Sequence, residues 1–371
     1  LEDWVFTSTY AEELLLNHFE TKSLKGFGVD GLRMAVVAAG AALHYLKETQ
    51  HNNVSHIASL TRIEEDHFVW MDQFTIRNLE LVESTGVNGV SLLNVLDHSV
   101  SPMGARMLRR WLVLPLKSQK AIQNRLNIVD YFTHNADAAD KLVLEIKKMG
   151  DLERLISKVA TARICPREVV QLKRALNAIV PVVESCYASK NKSLVKLASQ
   201  LNSCDDVREM IAEQLQDDAP VHLIKGNVMA FGVSQELDEL RAISTSAKAY
   251  LDQIREREIK RTGIPSLKIS FNNVFGYYIE VRNTHKDKVP EEWMRKQTLV
   301  SAERYVTEEL KELEEKILSA GDKILALEQK LFDALVAGLI DYVQIIQCNS
   351  QLIAHLDCLL YTSPSPRDFT E

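Results

Sequence analysis

Residues 308–336 have the sequence EELKELEEKILSAGDKILALEQKLFDALV, and this stretch decides the fold of the chain. Its apolar side chains recur at alternating steps of three and four, which is the pattern of a coiled-coil seam. The seam residues are Leu310, Leu313, Ile317, Ala320, Ile324, Leu327, Leu331 and Ala334. Because each i,i+4 charge pair on the other faces adds only about 0.2–0.5 kcal/mol, the apolar stripe needs a partner helix.

A matching apolar stripe lies upstream, in the segment that begins at Gln235. Its members are Leu237, Leu240, Ala247, Leu251 and Ile254. The pattern ends at residues 262–265, Thr-Gly-Ile-Pro, where the glycine stops a helix and the proline prevents its resumption. We therefore expect two antiparallel helical arms of about 50 Å, since a helix rises about 1.5 Å per residue.

A short segment with β-strand character, residues 266–304, lies between the arms. Residues 267–271 and 277–281 are rich in β-branched and aromatic side chains, and Asn272 and Gly276 between them predict a turn. The sequence thus places a small sheet at the end of a long helical pair.

The same region carries a local excess of positive charge. Residues 255–304 contain eleven Lys and Arg against seven Asp and Glu, in a chain whose net charge is −7, so the remainder carries −11. A cationic excess at the end of an arm suits contact with a nucleic-acid backbone. The alternative is a charge-rich surface that is merely solvated.

Composition indicates an ordinary soluble protein with room for two or three domains. The chain has 371 residues, of which 46% are hydrophobic and 26% charged. We expect no membrane span, because no apolar run approaches the roughly 20 residues that a span requires. The five cysteines are scattered without a CxxC pair, which predicts free thiols in a reducing cytoplasm and no zinc site.

A second informative stretch, residues 91–116, belongs to the helical body. Ser101 and Pro102 predict an N-cap and first helical position, and Pro115 ends the helix. Three arginines on this helix, Arg106, Arg109 and Arg110, could contact phosphates. We favour packing and local ion pairs for them, because the helix also carries several large apolar side chains.

Several of these segments resemble the bacterial DNA mismatch-repair family MutS. Residues 266–281 (SLKISFNNVFGYYIEV), 295–305 (RKQTLVSAERY) and 309–314 (ELKELE) resemble its clamp, and residues 97–116 resemble its lever. The resemblance extends over about 355 of the 371 residues.

The resemblance implies a mainly α fold: a helical lever body with long antiparallel coiled-coil arms that carry a small inserted β clamp. The domains it implies are the end of a connector (1–28), the lever with the outgoing arm (29–247), the clamp (248–307) and the returning lever helix (308–357). Residues 358–371, rich in Pro and Ser, are expected to be a non-native or disordered tail.

The function that the resemblance implies is DNA mismatch repair, in which the clamp grips the backbone of duplex DNA without reading its sequence. Carried over by position, the DNA-backbone contacts are Asn272, Arg295, Lys296, Thr298, Ser301 and Arg304. Ser301 stands where many relatives have Asn, which shortens its reach. Lys268, Lys286 and Lys288 are expected to add a diffuse positive field.

No catalytic residue, cofactor or metal site is predicted for this stretch, and it contains no GxxxxGK[ST] loop. The resemblance places ATP, Mg²⁺ and ATP hydrolysis in another domain of the family. The partners that it implies are double-stranded DNA, a second copy of the full-length protein and a MutL-type protein, with no membrane. The implied location is the cytoplasm, in association with the nucleoid.

Two other functions remain open from the sequence. One is a coiled-coil scaffold for protein interactions, in which the sheet docks another protein and its cations are only solvated. The other is a paralogue that serves recombination or ribosome rescue. For Arg304, the alternative to phosphate contact is an ion pair with Glu303 or Glu308 on its own helix.

Overall fold

A computed structural model of the chain describes residues 1–29, 31–49, 54, 57, 60, 61, 67–86, 88–272, 274 and 276–361. The protein is mainly helical with a small antiparallel sheet, as the sequence predicts. It divides into two compact units. The first contains Leu1–Ala212 and the segment that starts at Ala334, and the second contains Glu213–Asp333.

The first unit is built from helices, and the second combines helices with the sheet. The helices are α1 (Ser8–His18), α2 (Arg33–Thr49), α3 (Gln73–Asn78), α4 (Leu92–Leu96), α5 (Pro102–Val113), α6 (Gln119–His134), α7 (Ala136–Met149), α8 (Leu152–Ala160), α9 (Pro166–Asn177), α10 (Ile179–Ala188), α11 (Lys192–Ala198), α12 (Asp205–Gln214), α13 (Gln235–Thr262), α14 (Glu308–Leu339) and α15 (Val343–Tyr361). The strands are β1 (Lys268–Asn272), β2 (Gly276–Arg282), β3 (Met294–Thr298) and β4 (Ala302–Val306).

The first helices of the chain, α1 and α2, share one apolar core. Ala11 and Leu15 of α1 pack in the same cluster as Val36 of α2. A Cβ at Gly40 would lie 2.5 Å from the Cβ of Ala11, so glycine permits this close approach. The packing is therefore continuous across residue 28, where the sequence predicts a domain boundary, because α2 contributes Val36, Val37 and Leu43 to this core.

Helix α5 begins and ends where the sequence predicts. The Ser101 hydroxyl accepts a hydrogen bond from the Gly104 amide at 3.0 Å, and Pro102 is the first helical residue. The helix ends at Val113, two residues before Pro115. The cap and the proline positions that the sequence predicts therefore mark both ends of this helix.

The packing interpretation of the α5 arginines is confirmed for Arg106. Its guanidinium pairs with Asp151 at 2.7 Å and with Glu153 at 2.6 Å. Met103 and Leu108 of the same helix are buried. Arg106 therefore ties α5 to the start of α8.

Helix α15 packs against α5 and α8 in the first unit and is rich in buried apolar side chains. The helical run Glu308–Leu360 contains a stretch that is long and apolar enough, by length and composition, to cross a membrane. The sequence predicts no such stretch. Of that stretch, 33% is buried inside the fold.

The helix also continues beyond Asp357, where the sequence predicts that a tail begins. Cys358, Leu359 and Leu360 are buried within α15. These side chains continue the apolar surface of α15, so the Pro- and Ser-rich sequence begins only after the helix ends at Tyr361. The rest of the predicted tail, residues 362–371, lies outside the described residues.

In the second unit, α13 and α14 run antiparallel, as predicted. Arg257 of α13 pairs with Glu309 near the start of α14. Arg241 pairs with Glu328 and lies more than about four turns further from the sheet on α13. The left-handed residue Gly263 (φ 64°) ends α13, as the sequence predicts.

The predicted seam is buried over only half of its length. Leu310, Leu313, Ile317 and Ala320 are buried. Ile324, Leu327 and Leu331 are half-buried, and Ala334 is exposed. Residues 244–246 in the middle of α13 are Ser-Thr-Ser, so this part of the helix contributes no large apolar side chain to a seam.

The sheet has the strand order β1-β2-β4-β3, and every neighbouring pair is antiparallel. Both predicted strands exist, and β3 and β4 complete the sheet. One face carries Ile279, Val281 and Tyr305, which pack with Ile254 of α13 and Leu313 of α14 in a common core. The opposite face, called here the outer face, is the one that positions the candidate site.

Candidate nucleic-acid interface

The outer face presents a row of polar side chains that crosses the whole sheet. In register, Lys268 of β1 lies opposite Glu280 of β2, Glu280 lies opposite Arg304 of β4, and Arg304 lies opposite Gln297 of β3. Directly opposite residues share a face of a sheet. Arg282 lies two residues beyond Glu280 and therefore also belongs to the outer face.

Arg304 sits at the centre of this row. Its Nε donates to Glu280 at 3.1 Å, its Nη1 donates to Gln297 at 2.8 Å, and its guanidinium lies 4.4 Å from the centre of the Tyr278 ring. The side chain is 19% exposed. The sequence analysis names Glu303 and Glu308 as alternative ion-pair partners of Arg304, and the observed partner is instead Glu280. Arg304 lies in strand β4, and because side chains alternate along a strand, its neighbour Glu303 points to the other face.

Arg295 lies on the core side of the sheet, opposite Tyr305 in register. It pairs with Glu303 at 3.4 Å, and Lys286 pairs with the same carboxylate at 2.9 Å. The Tyr305 hydroxyl donates to Glu303. Together with Lys286, this hydrogen bond holds the pKa of Glu303 below its usual range, while burial and the same carboxylate raise the pKa of Tyr305 to about 12.

Lys296 and Asn272 line an open cleft of about 410 Å³ between the β1–β2 turn and α14. Lys296 is exposed, and it forms no ion pair with any residue in the described part of the chain. The side-chain oxygen of Asn272 accepts a hydrogen bond from the Val274 backbone amide at 2.6 Å, so the Asn272 side chain stabilises the β1–β2 turn. Lys311 and Glu314 complete the wall of the cleft.

Thr298 and Ser301 lie at the opposite end of the sheet, around the β3–β4 turn. Both side chains are exposed, and Val300 between them is fully exposed. Asn283 supports the turn: its amide N–H donates to the Ser301 carbonyl at 3.1 Å and its side chain to the Val300 carbonyl at 3.0 Å. The turn is thus held in place with its hydroxyls open to solvent.

The six predicted residues therefore do not form a single cluster. Arg304 occupies the outer face, Arg295 the core side, and the other four are divided between the two ends of the sheet. The sequence argument missed Arg282 and assigned Lys268 only a diffuse role. The alternation of side chains along residues 277–282 could have predicted the position of Arg282, because it places Tyr278, Glu280 and Arg282 on one face of the strand.

Ion pairing divides the eleven cations of residues 255–304 into two groups. Six of them pair with acids: Arg255, Arg257, Arg261, Lys286, Arg295 and Arg304. The others form no ion pair within the described ranges: Lys260, Lys268, Arg282, Lys288 and Lys296. These five are the positive groups of the sheet region that are available to an external anion.

Gly276 closes the β1–β2 turn against α14. Its φ is 73°, and an added Cβ would overlap the carboxylate of Glu314, which accepts from the Tyr277 amide at 2.9 Å. We expect Gly276→Ala to lower the free energy of unfolding by about 1–3 kcal/mol, measured by urea denaturation. Gly263→Ala is the matched control, since Gly263 is also left-handed but has open space around it. Equal losses in the two variants would contradict a role for the Glu314 contact.

The cysteines are free, as predicted. Burial raises the pKa of Cys186 to about 11. Burial, together with the nearby Asp205 and Asp206, raises the pKa of Cys204 to about 11 as well. In the part of the chain that the structure describes, no group of three or more His, Cys, Asp and Glu side chains is placed to hold a metal ion.

Comparison with known proteins accounts for this arrangement of arms and sheet. The family model for MutS domain III matches residues 74–362, and the model for MutS domain II matches residues 1–58. The chain belongs to the MutS family. The domain II match includes α2, in agreement with the core that α1 and α2 share.

Curated MutS proteins from several bacteria are similar to this chain. The DNA mismatch repair protein MutS of Parabacteroides distasonis is 57% identical over 97% of the chain and 41% of its own length. The MutS of Bacteroides thetaiotaomicron is 56% identical over 97% of the chain and 42% of its own length. The MutS of Porphyromonas gingivalis is 51% identical over 100% of the chain and 41% of its own length. The chain thus spans about two fifths of the length of these relatives.

Proposed function

We propose that the protein serves DNA mismatch repair and that its sheet grips duplex DNA through the phosphate backbone. The curated relatives carry the name DNA mismatch repair protein. The observation that carries the proposal is the row of outer-face residues, in which two exposed cations, Lys268 and Arg282, flank the Glu280–Arg304 pair. The net charge of these four side chains is positive.

Chemistry favours backbone contact over sequence reading. Lysine ammonium, arginine guanidinium and small hydroxyl or amide groups are the usual donors to phosphate oxygens, and such contacts carry no sequence information. The candidates combine both kinds: Lys268, Arg282 and Lys296 supply charge, while Thr298 and Ser301 supply hydroxyls at the open β3–β4 turn. Phosphates repeat along a duplex, so a cationic row can meet them at many positions.

The two paired arginines have a different expected role. Arg304 and Arg295 are already neutralised by Glu280 and Glu303. Either arginine would have to share its guanidinium between its acid and a phosphate, and the acid lowers the net attraction. We therefore expect the unpaired cations to contribute more affinity than these two arginines, although all six predicted positions remain candidates.

The test is duplex binding by the 371-residue chain, measured by fluorescence anisotropy over a range of salt concentrations. We expect the triple variant Lys268→Glu, Arg282→Glu and Lys296→Glu to bind at least roughly tenfold more weakly at about 50 mM salt. The log–log slope of affinity against salt should become shallower by about 2.7, since each lost phosphate contact contributes about 0.9. Mismatched and matched duplexes should respond alike.

A matched control reverses the charge of three exposed lysines on α14 of the same unit, in the triple variant Lys316→Glu, Lys323→Glu and Lys330→Glu. The control changes net charge by the same amount and should keep affinity within about twofold. An equal loss in both triple variants would mean that overall charge, and not these three cations of the sheet, attracts DNA. A folded wild-type chain that binds no duplex at low salt would instead support the scaffold function.

The remaining family functions are proposals about the whole protein. The two matched regions are domains II and III, so we propose that mismatch reading and ATP hydrolysis, with ATP and Mg²⁺, belong to other domains. We also propose that the whole protein acts as a pair of copies and with a MutL-type partner, in the bacterial cytoplasm.

A further inference from the structure

A second concave site lies in the first unit, among α6, α11 and α15. It is a cavity of about 510 Å³, within the range of about 300–1,000 Å³ that is usual for small-molecule sites. Its cationic side chains are Lys120, Arg125, Lys192 and Lys196, and none of its lining residues is Asp or Glu. The cavity therefore has a strong excess of positive charge.

Arg125 is the most informative of these side chains. It is half-buried, and its guanidinium carbon lies 3.5 Å from the centre of the Trp111 ring. It makes no hydrogen bond or ion pair with any described residue, and burial lowers its pKa. Removing a charge from water without a hydrogen-bonding partner is costly, so an anion in the cavity would remove this cost.

His355 lines the same cavity. Its ring meets Trp111 edge to face at 4.9 Å between ring centres. Burial, with a smaller contribution from Arg125, lowers the pKa of His355 to about 4. At neutral pH the imidazole is therefore uncharged and can donate or accept a hydrogen bond at the cavity wall.

The three lysines stand at the rim and converge from two helices. Lys120 belongs to the first turn of α6, while Lys192 and Lys196 lie one turn apart on α11 and so share a side of that helix. All three are exposed and form no ion pair within the ranges that the structure describes. The cavity is also lined by apolar side chains, Leu116, Ile128, Leu197 and Leu352, and by two exposed amides, Asn124 and Gln200.

We propose that this cavity binds a phosphate-bearing small molecule of nucleotide size. The lysines and Arg125 would hold the phosphates, the apolar side chains would cover a flat ring system, and Asn124 and Gln200 would bond to its edge. A duplex is a poorer fit, because Arg125 is recessed in a concave site and stacked on Trp111, whereas a DNA backbone needs cations on an open surface.

The experiment is isothermal titration calorimetry of the 371-residue chain at low salt, with ATP, inorganic tripolyphosphate and adenosine as separate probes. The sequence contains no GxxxxGK[ST] loop that could bind ATP in the usual way. We expect saturable binding of ATP at one site, weaker binding of tripolyphosphate and no binding of adenosine alone.

Two variants locate the site. Lys192→Glu with Lys196→Glu should weaken ATP binding at least roughly tenfold, and Arg125→Met, which keeps an apolar stem over Trp111, should do the same. A glutamate at position 192 suits the start of α11, whereas position 196 lies in its last turn, so circular dichroism must show that the double variant keeps its helices. The matched control, Lys22→Glu with Lys25→Glu in the same unit, should stay within about twofold of the wild type.

Several outcomes would overturn the proposal. These are no binding of ATP at about millimolar concentration, unchanged binding in the α11 or Arg125 variants, and an equal loss in the control. Displacement of ATP by duplex DNA would assign the cations to a nucleic acid instead. The triple variant Lys268→Glu, Arg282→Glu and Lys296→Glu should leave ATP binding unchanged, so this proposal and the DNA grip can fail independently.

Discussion

Replacing Arg241 with methionine is expected to lower the free energy of unfolding of the second unit by about 3–5 kcal/mol. Arg241 Nη2 lies 2.5 Å from Glu328 Oε1 and donates to the Met229 carbonyl at 2.9 Å. The Glu328 side chain is 0% exposed. Without the guanidinium, a buried carboxylate would lose its cationic partner, which is among the most destabilising single changes.

The environment of Glu328 makes this effect specific. Its Oε1 also accepts from the Val228 amide at 3.3 Å, whereas its Oε2 is buried without a hydrogen-bond partner. The carboxylate is thus incompletely satisfied even when Arg241 is present. The double variant Arg241→Met and Glu328→Met should recover most of the loss, since a packed apolar pair can replace a buried ion pair.

Amide hydrogen exchange of α13 and α14 measures the effect, because it reports the local free energy of opening. Arg255→Met is the matched control on the same helix: Arg255 and its partner Asp252 are both well exposed, so its removal should cost less than about 1 kcal/mol. If Arg241→Met were as mild as Arg255→Met, the pair would not hold the two helices together.

Replacing Asp357 with alanine is expected to destabilise the first unit by about 2–4 kcal/mol. The buried carboxylate accepts three hydrogen bonds: from the Val100 amide at 3.2 Å, the Ser101 amide at 2.9 Å and the Ser101 hydroxyl at 2.6 Å. Its loss would leave the Ser101 donors, at the start of α5, without an acceptor. Urea denaturation followed by circular dichroism measures the change.

The pH dependence of this contribution can be derived from the pKa of Asp357. Burial raises that pKa above its ordinary value, although the hydrogen bonds from Ser101 and Val100 oppose the effect. A raised pKa in the folded state means that acid favours the fold, and that stability is lost as the pH rises through the folded pKa. Asp357→Asn should therefore gain stability relative to the wild type as the pH is raised.

The control for Asp357 is Asp130→Ala, because Asp130 is 76% exposed on α6 of the same unit. It should change the free energy of unfolding by less than about 0.5 kcal/mol at every pH. A wild type and an Asp357→Ala variant with the same denaturation midpoint would contradict the anchoring role.

The sequence by itself determined the local features of this protein. Ser101 and Pro102 fixed the start of α5, and Gly263 fixed the end of α13, because caps and breakers act within a few residues. Periodicity identified the arms and the two strands, and the motifs around residues 266–281 identified the family. These signals depend on short-range backbone chemistry, so tertiary context changed them little.

Only the tertiary structure decided which charges are free. From the sequence, Arg304 and Lys268 belong to one basic region. Strand register places Glu280 between them, and Glu280 pairs with Arg304, whereas Lys268 forms no ion pair with any residue that the structure describes. Likewise, Asp357 is an ordinary carboxylate near the end of the sequence, yet it anchors α5 across 256 positions. The cavity around Arg125 joins helices far apart in the chain. Pairing and burial depend on such distant contacts, and no local pattern encodes them.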